Sequence, residues 1–393
     1  MNEVAAARCL TAGAAASLCC VAAPAFAGIW ALAPTFSASA EYETNPLLRP
    51  VGAVPGTAIV ANIGLPAQWD DGARHVEISP SVRLAEATGD SPIGANAYYL
   101  SGIVYVKSDR SEWSASLRLG DDSSALREPA AGTLLRTDVR ERYIDTSPSW
   151  AHSFTERTQA TLQAEWQSLD YTTPDAAQLG LFNYRYGTAT AQLSHALTER
   201  TQLLVLAQAS RYEVPTDGYN EDNYSVQAGL NGQATSLWAY KAMVGLSRLK
   251  DSTSGATTSG DLYLLSVNRT GLQSTWSTSL TKSIQPSGFG TLAQAIEADT
   301  TFQWRTSDRT SYSGSARWVE TTNSFASFTL ANRSYVSLSG AVTYRATEIW
   351  DVSGTLSWQR SATGATLFEI PASGQGYGIV ITAQRRFGRV KLT

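Results

Sequence analysis

The chain has 393 residues, a formal net charge of −4 and only 16% Asp, Glu, Lys and Arg. A balance this weakly acidic argues against nucleic acid as a partner. Its three cysteines, Cys9, Cys19 and Cys20, all lie near the start, which leaves the remainder without a disulfide framework or a thiolate metal site.

The segment 1–27 carries Arg8, an Ala/Cys/Leu-rich run from Cys9 to Ala23, and then Pro24-Ala-Phe-Ala27. This is the layout of a secretory signal peptide, with cleavage expected after Ala27. Residues 28–393 then read as one domain, because no linker, low-complexity tract or shift of composition divides them. No later stretch is apolar for long enough to cross a bilayer as a helix.

From residue 30 onward the chain alternates. Expected strands are 30–42, 73–86, 95–107, 111–120, 139–153, 159–171, 182–196, 202–213, 223–234, 238–249, 260–271, 274–285, 293–306, 310–321, 331–345, 349–361 and 375–387. The run 350–358 shows the pattern: Trp350, Val352, Gly354, Leu356 and Trp358 alternate with Asp351, Ser353, Thr355 and Ser357. An aromatic at each end of an apolar face, with a polar face opposite, is the signature of a transmembrane β-strand.

The connections alternate too. Short ones such as Ser108–Ser111, Thr155–Thr158, Thr198–Thr201 and Ser307–Thr310 take turns with longer polar segments such as 121–133, 171–181, 286–292 and 361–374. Short periplasmic turns and longer extracellular loops are expected of an outer-membrane barrel. The short turns recur every 36 to 47 residues, a period that a β-propeller blade also fits. A blade needs four short strands per period, whereas two long ones are present, so an antiparallel up-and-down barrel is the better reading.

The count above is seventeen. An even number is expected, and the predicted wall has 16 strands, with 18 as the alternative if Thr57–Ile63 adds one. The segment 43–72, rich in proline at 46, 50, 55 and 66, reads as a surface loop or partial plug.

Three motifs carry a resemblance. Pro34-Thr-Phe-Ser-Ala-Ser-Ala-Glu-Tyr-Glu-Thr-Asn-Pro46, Ser147-Pro-Ser-Trp150 followed by Phe154-Thr-Glu-Arg-Thr158, and the closing Gly378 with Arg385-Arg-Phe387 resemble a family of bacterial outer-membrane β-barrel porins. Some members of that family are associated with exopolysaccharide and PEP-CTERM sorting loci. The resemblance implies an outer-membrane barrel and carries over no catalytic residue.

The repeats HSFTERTQ (152–159) and HALTERTQ (195–202) place two of the three histidines alike. Strand parity sets His152 with Trp150 and Phe154, and His195 with Leu193 and Leu197, on the apolar face, as interfacial rings rather than catalysts. His75 reads as a solvated residue near an outer-loop boundary. Glu165, Lys241, Glu297, Asp299, Arg305 and Arg317 fall on polar faces and are the candidate lumen-lining charges. Asp70-Asp71 and Asp121-Asp122 are weak candidates for Ca²⁺, and no cofactor or resident metal is expected.

The predicted function is a porin-like passive channel in the bacterial outer membrane, linked to saccharide or exopolysaccharide transport. Outer-membrane lipids, barrel-assembly machinery and small hydrophilic solutes or polysaccharide would be its partners. A closed surface barrel without channel activity is the alternative, and an outer-membrane hydrolase ranks behind it.

Overall fold

The structure is a computed structural model and describes residues 29–89, 96–124, 139–173, 176, 179–252, 254–323, 332–363, 372–388 and 390–392. The expected signal segment 1–27 lies outside the described residues. Twenty-one strands among them form one antiparallel sheet. In chain order these are β1 (Ile29–Leu32), β2 (Thr35–Glu43), β3 (Gly56–Gly64), β4 (Ala67–Asp70), β5 (Arg74–Thr88), β6 (Ala97–Lys107) and β7 (Ser111–Ser123). Then come β8 (Arg140–Ser153), β9 (Thr158–Tyr171), β10 (Tyr184–Ala196), β11 (Thr201–Val214), β12 (Tyr219–Gln233), β13 (Trp238–Asp251) and β14 (Thr257–Thr270). The last are β15 (Ser274–Pro286), β16 (Leu292–Arg305), β17 (Thr310–Asn323), β18 (Arg333–Arg345), β19 (Trp350–Thr363), β20 (Ala372–Arg386) and β21 (Val390–Leu392).

The wall is a closed ring of 18 strands. It runs β2, β3, β5 and then each strand to the next as far as β20, which returns to β2 through Thr35↔Arg386 to Glu43↔Gly378. The expectation of 16 is therefore corrected to the alternative, 18. The missed strand is the one inside the supposed loop 43–72: β3 and β4 stand in the wall, and the longest irregular stretch is 44–55.

Proline hides that strand from a pattern reading. β3 meets β5 with Gly64↔Ser81, and β4 resumes in the same register with Ala67↔Ile78, so Pro66 interrupts the ladder without ending it. Pro34 separates β1 from β2 in the same way. The seam is less regular at the other terminus. Thr35 faces Arg386 but Leu32 faces Val390, so the final strand carries one extra residue, a bulge between β20 and β21.

Side chains alternate between the two faces of the wall. One ladder row reads Trp113, Trp150, Leu162, Ala191, Ala207, Val226, Leu246 across β7 to β13. Val226 is 59% and Leu246 72% exposed, an arrangement that water would penalise and lipid would not. The other face carries Gln163, Thr190, Gln208, Ser225 and Ser247. On this second face Leu48, from the segment between β2 and β3, packs on Val319 of β17 and Tyr335 of β18, and Tyr212 of β11 reaches Ser287 beyond β15, so the face is concave and surrounds the lumen. A cross-strand ring closes over a glycine there. A Cβ on Gly120 would stand 2.3 Å from Tyr143 Cζ, its ladder partner's ring. We expect Gly120→Ala to destabilise the folded barrel by about 1–3 kcal/mol, as inserted core methyls do, with urea unfolding in lipid vesicles as the measurement and an unchanged midpoint as the contrary result.

Candidate functional site: the lumen and its inward arm

The connection 287–291 between β15 and β16 is the feature that organises the lumen. The tip of this hairpin leans across the concave face. Phe182 N–H donates to Gly288 O at 2.8 Å, and Tyr212 OH donates to Ser287 O at 2.8 Å. Phe289 lies beneath the guanidinium of Arg333 on β18, 4.0 Å from the ring centre. Leu292 and Phe289 pack in one apolar cluster with Leu169, Tyr171, Leu181, Tyr184, Tyr186 and Tyr212. The arm thus touches strands on both sides of its own hairpin. At Gly290, φ is +82° and a Cβ would sit 2.9 Å from the Phe182 ring, so this tight crossing requires glycine.

Glu221 fixes the arm. Its side chain is on the concave face of β12, opposite Tyr212, and is fully buried at 0% exposure. Thr291 Oγ1 donates to Oε1 at 2.7 Å, Tyr219 OH donates to Oε1 at 2.5 Å, and Leu292 N–H donates to Oε2 at 2.5 Å. A buried carboxylate is tolerable only when its lone pairs are filled, and here they are filled largely by the arm. A second inward segment, 45–49, lies on the same face. Asn45 Nδ2 donates to Gln375 O at 3.1 Å and to Arg49 O at 2.9 Å, and its Oδ1 accepts Arg49 N–H at 2.9 Å.

All six charges anticipated for the lumen fall on the concave face by their ladder partners. Lys241, Ser266, Ser279, Asp299, Arg317 and Ser337 form one row across β13 to β18. The structure brings three of the six together: Arg317 Nη2 is 2.6 Å from Glu297 Oε1, and its Nε is 3.6 Å from Asp299 Oδ1. Glu165 stands apart opposite Thr188, one row from the facing pair Arg118 and Asp145. Lys241, between Asn231 and Ser266, and Arg305, opposite Ser311, sit near the short-turn end.

The histidines lie elsewhere. His152 is stacked on Trp150 (5.6 Å between centres) and meets Phe154 edge-on, and its Nδ1 is 2.8 Å from Ser111 Oγ. His195 Nδ1 is 2.9 Å from Thr158 Oγ1. Both are on the convex apolar face, and among the described residues neither pairs with a carboxylate that could orient the ring as a base. His75 departs from its expected place: it stands at the short-turn end of β5, 3.3 Å from Asp70, because β4 turns there directly into β5. Neither aspartate pair resembles a calcium site. Asp121 is held by Arg140 and by Arg142 at 2.9 Å, and Asp70 and Asp71 accept turn amides from Gly72, Ala73 and Arg74. Among the described residues no three metal-ligating side chains converge.

No family model matches the chain, and no curated protein matches it. Solved structures to which it is similar are outer-membrane barrels. They include Pseudomonas aeruginosa OccK5 (OpdH), at 9% identity over 91% of this chain and 98% of that one, with a TM-score of 0.47. The siderophore receptor PirA from Pseudomonas aeruginosa follows at 10% identity over 89% and 80%, TM-score 0.42, and a bacterial polysaccharide outer membrane secretin at 9% over 90% and 98%, TM-score 0.38.

Glu221 escaped the sequence reading because two of its three partners, Thr291 and Leu292, come from a hairpin three strands away. Only the run Pro286-Ser-Gly-Phe-Gly290, glycine on both sides of an aromatic, marks the arm in the sequence. We expect Glu221→Ala to strand three donors and lower unfolding stability by about 1–3 kcal/mol or more. Hydrogen exchange should also accelerate at the Leu292 amide; a Leu292 amide that stays protected would show that the carboxylate does not hold the arm.

Proposed function

We propose that the chain is a porin-like passive channel of the bacterial outer membrane, its lumen narrowed by the arm 287–291 and the segment 45–49. The observation that carries this reading is a closed wall whose convex face is apolar and whose concave face is polar. In an 18-stranded barrel the wall encloses more space than its own side chains fill, so water and small solutes occupy the remainder. Glu297, Asp299 and Arg317 then act as a mixed-charge patch beside the path, with Glu165, Lys241 and Arg305 as further charges along it. Removal of a signal peptide at Ala27 and insertion by barrel-assembly machinery belong to the same reading. Saccharide or exopolysaccharide as solute rests on the family resemblance, and the neutral hydroxyl-rich rows of Ser and Thr are compatible with it.

The alternative is a closed surface barrel, favoured by how much apolar packing the arm brings to one side of the lumen. Planar-bilayer recording separates the two. Purified folded protein should give discrete conductance steps, and their absence leaves the closed barrel. In a potassium chloride gradient, Arg317→Ala should move the reversal potential toward cation preference, because two carboxylates lose their shared cation; an unmoved potential would remove this patch from the conduction path.

A further inference from the structure

The ring is closed, but not every ladder in it runs the full height of the wall. The ladder between β14 and β15 ends at Tyr263↔Lys282. Beyond it, Thr257 to Asp261 of β14 pair only with β13, through Lys250↔Thr257 to Leu246↔Asp261, and Ser283–Pro286 of β15 pair only with β16. The reason is the arm: the tip of the β15–β16 hairpin has swung inward to Glu221 and passed behind β14. Gln294, on the convex side of β16, now lies against the concave side of Gly260, where a Cβ would stand 3.1 Å from its Nε2. The wall therefore has a fissure, and the backbone edge of β14 from Thr257 to Leu262 faces it without a strand partner.

A trough of about 1370 Å³ begins at this fissure. Ser259, Gly260 and Asp261 form its upper end, and it runs along the convex face past Leu246, Val226, Ala207 and Ala191 to Trp150. The path crosses seven strands from β8 to β14, roughly 29 Å at about 4.8 Å per strand. Its lining is almost wholly apolar and its volume exceeds the roughly 300–1,000 Å³ of ordinary small-molecule pockets, which suits an extended chain rather than a compact ligand. Two charged side chains line it, both at the fissure end. Asp261 is already held by Lys282 at 2.6 Å, whereas Arg248 is exposed and has no ion-pair partner among the described residues.

An unpaired sheet edge is not tolerated against hydrocarbon unless something hydrogen-bonds to it. We propose that the trough binds a long-chain carboxylate amphiphile, its chain along the alanine floor and its head group beside Arg248 and the free edge of β14. Arg248 supplies the complementary charge, the edge amides supply donors, and the trough supplies a length of apolar wall matched to a single chain. This site lies on the opposite face of the wall from the lumen, and it stands whether or not the lumen conducts.

The test is fluorescence titration of cis-parinaric acid with the full folded protein in detergent, folding being checked by heat-dependent gel migration. We expect saturable binding that weakens at least tenfold in Arg248→Ala and in Ala207→Trp, and that is unchanged in Arg317→Ala on the lumen side. Non-saturable partitioning that is the same in all four proteins would overturn the proposal. So would equal competition by phosphatidylglycerol, which would make the trough ordinary annular lipid surface, or a dimer by native mass spectrometry that is lost with the same substitutions, which would make it a contact between copies. Should Ala207→Trp not fold, Arg248→Ala decides alone, since that side chain is exposed and packs in no core.

Discussion

The structure depends on one requirement, that backbone N–H and C=O groups surrounded by lipid find partners within the wall. A sheet can meet it only by closing, and closure is what β2 and β20 achieve. Everything else follows from the register that closure imposes. Because side chains alternate, fixing one strand's pairing fixes which of its residues touch lipid and which touch the lumen, and a slip of one residue would exchange the two sets. The bulge beside Phe387 lies where the first and last strands must be reconciled, and it absorbs one residue without transmitting the slip to β20.

The same requirement explains what the sequence disclosed. Alternation is a local property of each strand, so the faces of Trp150, His152, Glu297 and Arg317 were readable from parity alone, and their ladder partners agree. Strand number was less legible. The stretch 56–70 alternates as well as its neighbours do, but Pro66 removes one ladder donor from its middle and imitates a loop boundary. Contacts across the lumen were not legible at all. Glu221 lies in a polar run at a strand end, and nothing local distinguishes it from Asp222, which accepts a hydrogen bond from Ser252 at the surface. Its importance comes from a hairpin that approaches through space, and periodicity does not encode such an approach.

A large trough lies on the outside of the wall. Small residues account for its floor: Ala164, Ala189, Ala191, Ala207 and Ala209 occupy consecutive strands between the bulkier Trp150 and Leu162 on one side and Tyr224 and Val226 on the other. On the inside, the space near the arm is taken by aromatic rings. Tyr184, Tyr186 and Tyr212 are buried beneath it, so these tyrosines serve packing and present no open stacking surface to a passing solute.

The ladder is interrupted at the seam and at β14, and the two places differ in how the loss is met. At the seam, Pro34, Pro66 and Pro80 lie on neighbouring strands and remove three donors, but the loss is repaired on the spot: Ala33 N–H donates to Pro66 O and Leu65 N–H to Pro80 O, both at 3.0 Å. Each proline therefore sits where the carbonyls around it are still used, and the wall stays continuous. At β14 the interruption is longer, no proline in β14 causes it, and the pairing strand has been drawn away to satisfy a buried carboxylate. The favourable terms of that exchange are the three hydrogen bonds at Glu221 and the apolar packing of Phe289 and Leu292. Its cost is that Thr257 to Leu262 of β14 have no strand partner on the β15 side, and such a cost persists in a membrane only where a side chain, a ligand or solvent can meet it.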